Sequence, residues 1–599
     1  MLSDCSHKIY YIFYIMKKQK VTFSDCLKTF TIDQDKAISP EETVKRFYAK
    51  LEKPNIKILS EVKRIDNGRL DIPVYFSVCG EDAVNIIGTK KQMGKGASPM
   101  QAKASACMEL AERFSFFSFK NSAANFITGD YAAMRSQGYP VMELHYLLQS
   151  VHDEKTDEAT LERLLAEIPM QWTWATNITK NEEVLIPFSW FYAINEFNGP
   201  SAGNTYEEAA LQGISEIVER HVCSVITHNQ MATPTIDPDS VQDPVARKLI
   251  DTFEKNGIQL YLNDFSLNTG ICTVGALAVD PATFPEKSEI VYTAGTTPDA
   301  EKAIIRAITE VAQLAGDFNS NSNYVASGLP KPLSLAEVEY VTNPGLHTTV
   351  SRMNDLSHNN IKVEVENCTA ALEKIGMDIF MIDVAHEDLE IPALYTIIPG
   401  AHFRERSMIR SVGLFAAKLV VELIDNPGEI EEALDRMSEV SPDTYYVEFY
   451  RGRNLFNLEL YEEALPHFEK SLLLDPEKED LPYIYSYQGN CLSKIGQYDA
   501  AIAALIKGCH EDDERPDLYN LLGVCYFKKE LYEKAIECFK RAVDLNPTSA
   551  MDYANLGVNY AKLGKDNEAV QFFTLALTLD SSLDFAQDYL DRLLAEKQK

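Results

Sequence analysis

The chain has 599 residues, several times the usual domain length of about 100 to 200 residues, so we expect two or more domains. Hydrophobic residues make up 45% of it and charged residues 24%, a composition that excludes a largely disordered or low-complexity chain. With 57 Lys and Arg against 89 Asp and Glu, the net charge is -32, which argues against nucleic acid or an anionic membrane surface as the partner.

Cysteine spacing and hydropathy predict a cytoplasmic protein without membrane spans. The chain has 11 cysteines and no C-x-x-C pair, which argues against a zinc site and a disulfide framework. The apolar run at 9–16 is too short to cross a bilayer, and no other stretch reaches about 18 uncharged apolar residues. We expect translation to start at Met16, within an N-terminal extension at 1–29.

Residues 30–425 alternate extended apolar runs with helical stretches, which predicts a mixed α/β domain (α+β). Two segments of this region are equivalent at a displacement of 107 positions. The first copy carries Gly96, Ser98, Ala102, Glu109, Glu112 and Arg113, and the second carries Gly203, Thr205, Ala209, Glu216, Glu219 and Arg220.

Each copy predicts a helix with a defined start. Ser98 with Gln101, and Thr205 with Glu208, have the spacing of a capping box. A degenerate third copy keeps the spacing from a cap at Asp299. Its other matching residues are Ala303, Glu310 and Gln313. We therefore expect three related helices around one site.

The paired glutamates of these helices predict a metal-nucleotide site. Glu109 and Glu112 share one helix face with Ser105, and Glu216 and Glu219 do the same in the second copy. Apolar neighbours indicate burial, and a buried carboxylate costs several kcal/mol unless a cation or donors neutralise it. Beside glycine-rich helix starts, this pattern favours phosphates held through Mg²⁺, without a P-loop.

A simpler interpretation stays open. One E-x-x-E-R segment is often a surface helix with an i,i+4 pair such as Glu109 with Arg113. The capping-box role of Glu208 also explains that residue without a metal ion.

Three segments resemble the signatures of the YcaO family of ATP-utilising enzymes. They read GKGAS with KASACMELAERF (94–114), NGPSAGNTYEEAALQGISEIVERH (198–221) and AIIRAITEVAQ (303–313). The resemblance covers about residues 30–425 and implies ATP and Mg²⁺ as cofactors. It implies Mg²⁺ ligands at Glu109, Glu112, Glu208, Glu216 and Glu219, and ATP contacts at Lys36, Ser105, Arg113 and Asn204.

The third signature departs from the family pattern. Family members usually continue Gln-x-Arg, whereas Gln313 is followed by Leu314 and Ala315. One expected phosphate-contacting arginine is therefore missing. The candidates to replace it are Arg306, Arg352, Arg404 and Arg406.

The resemblance implies that ATP phosphorylates a peptide amide oxygen after a nucleophile has added to the carbonyl. The subgroup with a helical-repeat tail assists methylthiolation of a ribosomal protein. Two alternatives stay open: a nucleotide-binding adaptor with little activity, and an enzyme that forms azolines or thioamides. The azoline alternative is weakened because the chain ends Ala-Glu-Lys-Gln-Lys and not in a Pro-x-Pro-x-Pro tail.

The last part of the chain repeats. Leu522-Gly523, Tyr526, Ala535 and Phe539 return 34 positions later, and earlier copies give four helix-turn-helix units that resemble tetratricopeptide (TPR) repeats over 445–590. We expect an all-α domain at 445–599 after a junction at 426–444. Residues 441–599 hold 28 acidic and 17 basic side chains, which favours a basic partner or a second copy of the chain. The resemblance implies that such a partner is a basic ribosomal protein or its modifying enzyme. A solvated acidic face without a dedicated partner is the alternative.

Overall fold

The computed structural model describes residues 20–52, 56–88, 91–320, 324, 329–403 and 411–597. The start expected at Met16 and the candidates Arg404 and Arg406 lie outside these ranges. The chain forms two compact units, one of Met1–Glu158 with Pro169–Arg410 and one of Ala159–Ile168 with Ser411–Lys599. Within the described ranges no helix is long and apolar enough to cross a membrane.

The first unit contains three sheets. The strands are β1 (Leu59–Arg64), β2 (Val74–Cys79), β3 (Lys91–Lys95), β4 (Ile127–Gly129), β5 (Met170–Asn177), β6 (Glu182–Pro187), β7 (Pro200–Ala202), β8 (Thr235–Ile236), β9 (Gln259–Asp264), β10 (Thr273–Val279), β11 (Val291–Thr296), β12 (His347–Thr348), β13 (Phe380–Asp383) and β14 (Ala393–Ile397). The sheet orders are β1-β2-β3, β11-β10-β9-β8-β12 and β4-β5-β13-β14-β7, with β6 pairing with β5. Neighbouring strands are antiparallel except β8 and β12.

Helices connect and cover these sheets. Those that begin before residue 411 are α1 (Pro40–Leu51), α2 (Glu81–Ile87), α3 (Pro99–Asn121), α4 (Tyr131–Ser136), α5 (Leu144–Ser150), α6 (Glu158–Leu164), α7 (Phe188–Asn195), α8 (Tyr206–Asn229), α9 (Pro244–Lys255), α10 (Ala300–Ala315), α11 (Glu339–Thr342) and α12 (Ile361–Glu373). The mixed α/β architecture predicted for this region is confirmed.

The three predicted helix starts are confirmed at α3, α8 and α10, each of which follows a strand and a short loop. The Ser98 hydroxyl accepts from the Gln101 N–H at 3.3 Å, and the Thr205 hydroxyl accepts from the Glu208 N–H at 3.2 Å. The Asp299 carboxylate accepts from the first-turn N–H groups of α10. The three strand-loop-helix units therefore begin in the same way.

Glycine lets the strand and the helix of two of these units pack backbone to backbone. A Cβ at Gly94 of β3 would lie 2.0 Å from the Ala106 nitrogen of α3, and one at Gly295 of β11 would lie 2.5 Å from the Ala307 nitrogen of α10. Since real Cβ atoms do not approach so closely, any larger residue would push strand and helix apart.

The second unit is helical. After residue 411 the helices are α13 (Val412–Leu423), α14 (Pro427–Val440), α15 (Tyr445–Asn457), α16 (Tyr461–Leu473), α17 (Leu481–Lys494), α18 (Tyr498–Glu511), α19 (Pro516–Lys528), α20 (Tyr532–Leu545), α21 (Ala550–Lys562), α22 (Asp566–Leu579) and α23 (Asp584–Lys597). Helices α15 to α22 form the four predicted helix-turn-helix units. In the third and fourth units, Gly523 faces the Phe539 ring and Gly557 faces the Phe573 ring, so the small residue admits the aromatic ring.

Candidate functional site

One cavity of about 250 Å³ in the first unit brings together all nine residues assigned by resemblance. They are Lys36, Ser105, Glu109, Glu112, Arg113, Asn204, Glu208, Glu216 and Glu219. The cavity also takes in residues to which the resemblance gave no ligand role, among them Arg306, one of the candidates for the missing arginine. The charged ones are Lys95, Arg220, Arg306 and Glu310.

The helices α3, α8 and α10 contribute to the cavity from equivalent positions. One set of equivalent positions carries Glu109, Glu216 and Glu310, and the next set carries Glu112, Glu219 and Gln313. A third set carries Ser105, Gln212 and Arg306, and in it the Arg306 guanidinium donates to the Gln212 side-chain oxygen at 2.7 Å. The expected arrangement of three related helices around one site is therefore present.

The pair of glutamates on α3 and the pair on α8 each have arginines beside them. The Arg113 Nε lies 3.4 Å from Glu109 and 3.5 Å from Glu112, and Arg220 lies 4.0 Å from Glu216. The Arg306 Nε lies 3.6 Å from Glu219. The i,i+4 pair of the simpler interpretation is thus present, but it lines a cavity and not a solvated surface.

Glu208 is held by backbone donors. Its carboxylate accepts from the Ala37 N–H at 2.6 Å and from the Asn204 N–H at 2.8 Å, and the Asn204 side-chain amide donates to it at 2.9 Å. In the expected capping box, the Glu208 carboxylate would accept a hydrogen bond from the Thr205 N–H. In the structure it accepts from the Asn204 N–H, one residue earlier. Glu208 therefore ties the loop before α8 to the segment that carries Lys36.

Burial sets the protonation of the acidic groups. Glu112 is only 9% exposed, and burial raises its pKa well above the usual range, although Arg113 opposes the shift. Burial also raises the pKa of Glu216, which Arg220 and Arg113 oppose. Both carboxyls gain from a positive charge brought into the cavity.

A cationic group faces these acids from β3. Lys95 forms an ion pair with Glu310 of α10. Burial, and then the nearby Arg306, lower the pKa of Lys95 to about 7. Because Arg220 Nε is buried and has no hydrogen-bond partner among the described residues, the cavity also offers a donor to an anionic ligand.

The residues present fit a polyphosphate bound together with a cation. Within the described ranges, no group of three or more His, Cys, Asp or Glu side chains is already arranged to hold a metal ion. The carboxylates instead contact arginines and N–H groups, as described above. A cavity lined by both signs of charge suits a ligand that carries both, with oxygen ligands for Mg²⁺ and guanidinium groups for phosphate.

The structure describes two of the four candidates for the phosphate-contacting arginine, and one of the two lines the cavity. Arg306 lines the cavity, whereas Arg352 is exposed and does not. Arg306 occupies the position of α10 that is equivalent to Ser105, an ATP contact implied by the resemblance. This equivalence could have distinguished Arg306 from the other candidates in the sequence. No comparable signal marked Lys95, which lies before the aligned helix in β3.

Comparison with known proteins agrees with this geometry. The family model for YcaO cyclodehydratase, ATP- and Mg²⁺-binding, matches residues 93–402, and tetratricopeptide-repeat models match 516–549 and 553–583. An uncharacterised protein of Methanothermobacter thermautotrophicus is 27% identical over 399 residues, which cover 61% of this chain and 94% of that protein.

Two further proteins are also similar to the chain. The ribosomal protein S12 methylthiotransferase accessory factor YcaO of Escherichia coli (strain K12) is 31% identical over 142 residues, 24% of each chain. A heterocyclase solved in complex with substrate and cofactor is 21% identical and has a TM-score of 0.53 over 65% of this chain and 55% of that chain, which shows a shared fold. Since the family model spans more than half of its residues, the chain belongs to the YcaO family of ATP- and Mg²⁺-binding proteins and carries TPR repeats in its C-terminal part.

Proposed function

We propose that the chain is an enzyme that uses Mg²⁺ and ATP to activate an amide of a peptide or protein by O-phosphorylation. The observation that carries the proposal is the convergence of α3, α8 and α10, with glutamates at equivalent positions, on one cavity of mixed charge. Membership of a family described as cyclodehydratases that bind ATP and Mg²⁺ supports the same reaction class.

The reaction would follow a balanced sequence. A nucleophile adds to the amide carbonyl, and the oxyanion formed attacks the γ-phosphoryl group of ATP, so that an O–P bond forms and ADP leaves. An electron pair on the amide nitrogen or on the added nucleophile then forms a double bond to the carbon while that atom loses a proton, and the C–O bond breaks to release inorganic phosphate that carries the former amide oxygen. Bound Mg²⁺ would shield the negative charges of the triphosphate and ease phosphoryl transfer.

The side chains of the cavity supply positioning and charge. Glu109, Glu112, Glu208, Glu216 and Glu219 are the proposed Mg²⁺ ligands, and Lys36, Ser105, Arg113 and Asn204 are the proposed ATP contacts. We add Arg306 as the proposed substitute for the missing arginine, and Arg220, whose buried Nε has no partner within the part of the chain that the structure describes. Guanidinium groups fixed beside the phosphates stabilise the charge that moves during transfer.

We propose that the protein substrate is a basic ribosomal protein whose methylthiolation the chain assists. The similarity to the accessory factor of Escherichia coli supports this role, as does the excess of acidic residues in the C-terminal part of the chain. TPR repeats commonly provide surfaces for protein partners.

The test is release of phosphate and ADP from Mg-ATP, measured with the full chain alone, with ribosomal protein S12, and with S12 plus sulfide. We expect turnover that needs Mg²⁺ and rises with the protein substrate, and that Glu219→Gln removes. Tight Mg-ATP binding without turnover under any of these conditions would contradict an enzymatic function.

A nucleotide-binding adaptor is the second candidate. Ala315 occupies the position at which the family pattern has its arginine, and it is buried in the hydrophobic core. Every cavity glutamate described above already has an ion-pair or hydrogen-bond partner in the protein. The arrangement of these residues therefore does not by itself require a catalytic role. The phosphate assay separates the two functions, because an adaptor binds Mg-ATP but does not release phosphate.

A further inference from the structure

A second concavity, of about 480 Å³, lies beside the proposed nucleotide cavity in the first unit. Its walls are mainly apolar and include Leu70 and Ile72, just before β2, and Val245 and Leu249 of α9. Ile32 also lines it, and this side chain is 64% exposed. We call this concavity the Ile32 groove; a large aliphatic side chain exposed at an apolar groove commonly marks a binding surface.

The loop 30–36 separates the Ile32 groove from the nucleotide cavity. Two backbone hydrogen bonds between Phe30 and Lys36, of 3.1 and 2.9 Å, close this loop. Lys302 of α10 holds it in place by donating to two of its carbonyl oxygens. Gln34 and Lys36 of the loop line the cavity, whereas Ile32 and Asp33 line the groove.

The two spaces are adjacent. Pro40, the first residue of α1, lines both of them. Ala97 and Ser98, between the glycine-led loop and α3, also line the groove. A molecule in the Ile32 groove therefore lies next to the proposed site of phosphoryl transfer.

Asp33 gives the groove a chemical preference. The residue is only 2% exposed, and its Oδ1 accepts no hydrogen bond of good geometry from the described part of the chain, although the N–H groups of Asp33 and Gln34 lie beside the carboxylate. The nearby Lys302 ammonium already donates to Thr31, Ile32 and Asp243. Burial raises the pKa of Asp33 in spite of these neighbours, so a positive charge brought to the groove is favoured.

The other charged side chains at the groove are also mainly acidic. Glu41 and Asp71 line it together with one cation, Lys248. Asp71 is paired with Arg64 at 2.7 Å, so Asp33 and Glu41 remain against Lys248. This balance favours a positively charged occupant.

We propose that the Ile32 groove is the docking site for the peptide substrate, and that it selects a segment with an apolar side chain next to a lysine or arginine. The apolar side chain contacts Ile32 and Leu249, and the basic side chain faces Asp33 and Glu41. This inference rests on the proposed function, because it assigns a place and a sequence preference to the amide substrate of that reaction.

The test uses the full chain with Mg²⁺ and a non-hydrolysable ATP analogue, at low ionic strength. Short fluorescent peptides of Gly and Ser carry a central Lys-Leu-Lys, Glu-Leu-Glu or Lys-Ser-Lys, and fluorescence anisotropy gives their Kd. We expect Lys-Leu-Lys to bind about tenfold more tightly than either of the others.

Two matched pairs of variants locate the site. Ile32→Glu places a charge on the groove and is expected to weaken Lys-Leu-Lys binding about fivefold or more, whereas Leu27→Glu, at a residue 59% exposed outside the groove, leaves it unchanged. Lys248→Glu is expected to tighten binding about threefold, whereas Lys255→Glu, exposed on the same helix, does not.

The possible results are distinguishable. Equal Kd values for the three peptides, an absence of peptide binding, or equal effects within either pair of variants would overturn the groove assignment. Mg-ATP affinity, measured separately by calorimetry in the unmodified chain, tests the proposed function instead. Normal Mg-ATP binding without peptide selectivity refutes only the groove, whereas loss of both refutes the nucleotide site.

Discussion

Replacing Glu112 by Gln is expected to have opposite effects on stability and on ligand binding. The substitution keeps the shape of the side chain and removes its charge. In the nucleotide-free protein, burial and the neighbouring Glu109 and Glu216 oppose ionisation of Glu112, while Arg113 favours it. Since the pKa is raised well above the usual range, the unfavourable effects prevail.

The raised pKa gives the sign of the stability effect. Glu112 gives up its proton at a lower pH in the unfolded chain than in the folded chain. Stability is therefore lost as the pH rises through the pKa of the folded chain, and the loss persists above it. Glu112→Gln removes this loss and is expected to raise the free energy of unfolding at pH 8 by about 1 to 3 kcal/mol, the usual cost of a buried polar group that is not fully compensated.

Ligand binding is expected to change the other way. Loss of a charged metal ligand weakens Mg-ATP binding by on the order of 2 kcal/mol or more, about 30-fold in Kd. Urea unfolding measures the first effect and titration calorimetry the second. Glu61→Gln, at an exposed residue of β1, is the control and changes neither. A Glu112→Gln variant that binds Mg-ATP with unchanged affinity would refute its assignment as a ligand.

Three further predictions follow from burial, backbone packing and the placement of the cavity. Burial and then His402 lower the pKa of His221 to about 4, so the stability that neutral His221 contributes is lost as the pH falls from about 6.5 to 4. His221→Gln should remove about 3 kcal/mol of that dependence in urea unfolding, and parallel pH profiles would contradict this. Gly94→Ala should destabilise by more than about 2 kcal/mol, because its Cβ would meet the Ala106 nitrogen, whereas Gly428→Ala should be tolerated; equal melting temperatures would contradict it. A folded chain ending at residue 440 should keep its Mg-ATP affinity in calorimetry, since the cavity-lining residues lie between Gln34 and Gln313, and loss of binding would show that the repeats support the site.

Sequence periodicity predicted the parts of the fold that repeat. The 34-residue period gave the helix pairs of the second unit, and the 107-residue displacement gave α3 and α8 with their caps. Both patterns succeed because the packing partner of each repeated residue is itself repeated. Phe539 fits beside Gly523 for the same steric reason that Phe573 fits beside Gly557.

Contacts between distant segments were less accessible to sequence reasoning. Lys95 reaches Glu310 across more than two hundred positions, and no local pattern links β3 to α10. Likewise, the Ala37 N–H meets Glu208 only because the segment at 36–40 folds over the start of α8. The resemblance placed Lys36 at the site, but its surroundings depend on this long-range contact.

The ion pairs explain how an acidic cavity is stable before any ligand binds. Arg113 lies between Glu109 and Glu112 and offsets part of their charge, Arg220 lies beside Glu216, and Lys95 pairs with Glu310. In the proposed site, a guanidinium that turned toward an entering phosphate would leave a buried carboxylate in need of another cation, and Mg²⁺ would supply that charge. Conversely, Mg²⁺ bound to the carboxylates would free a guanidinium to bind phosphate. Binding of either component would therefore favour binding of the other. Internal pairing is thus a reason for the cavity to favour Mg-ATP over either component alone.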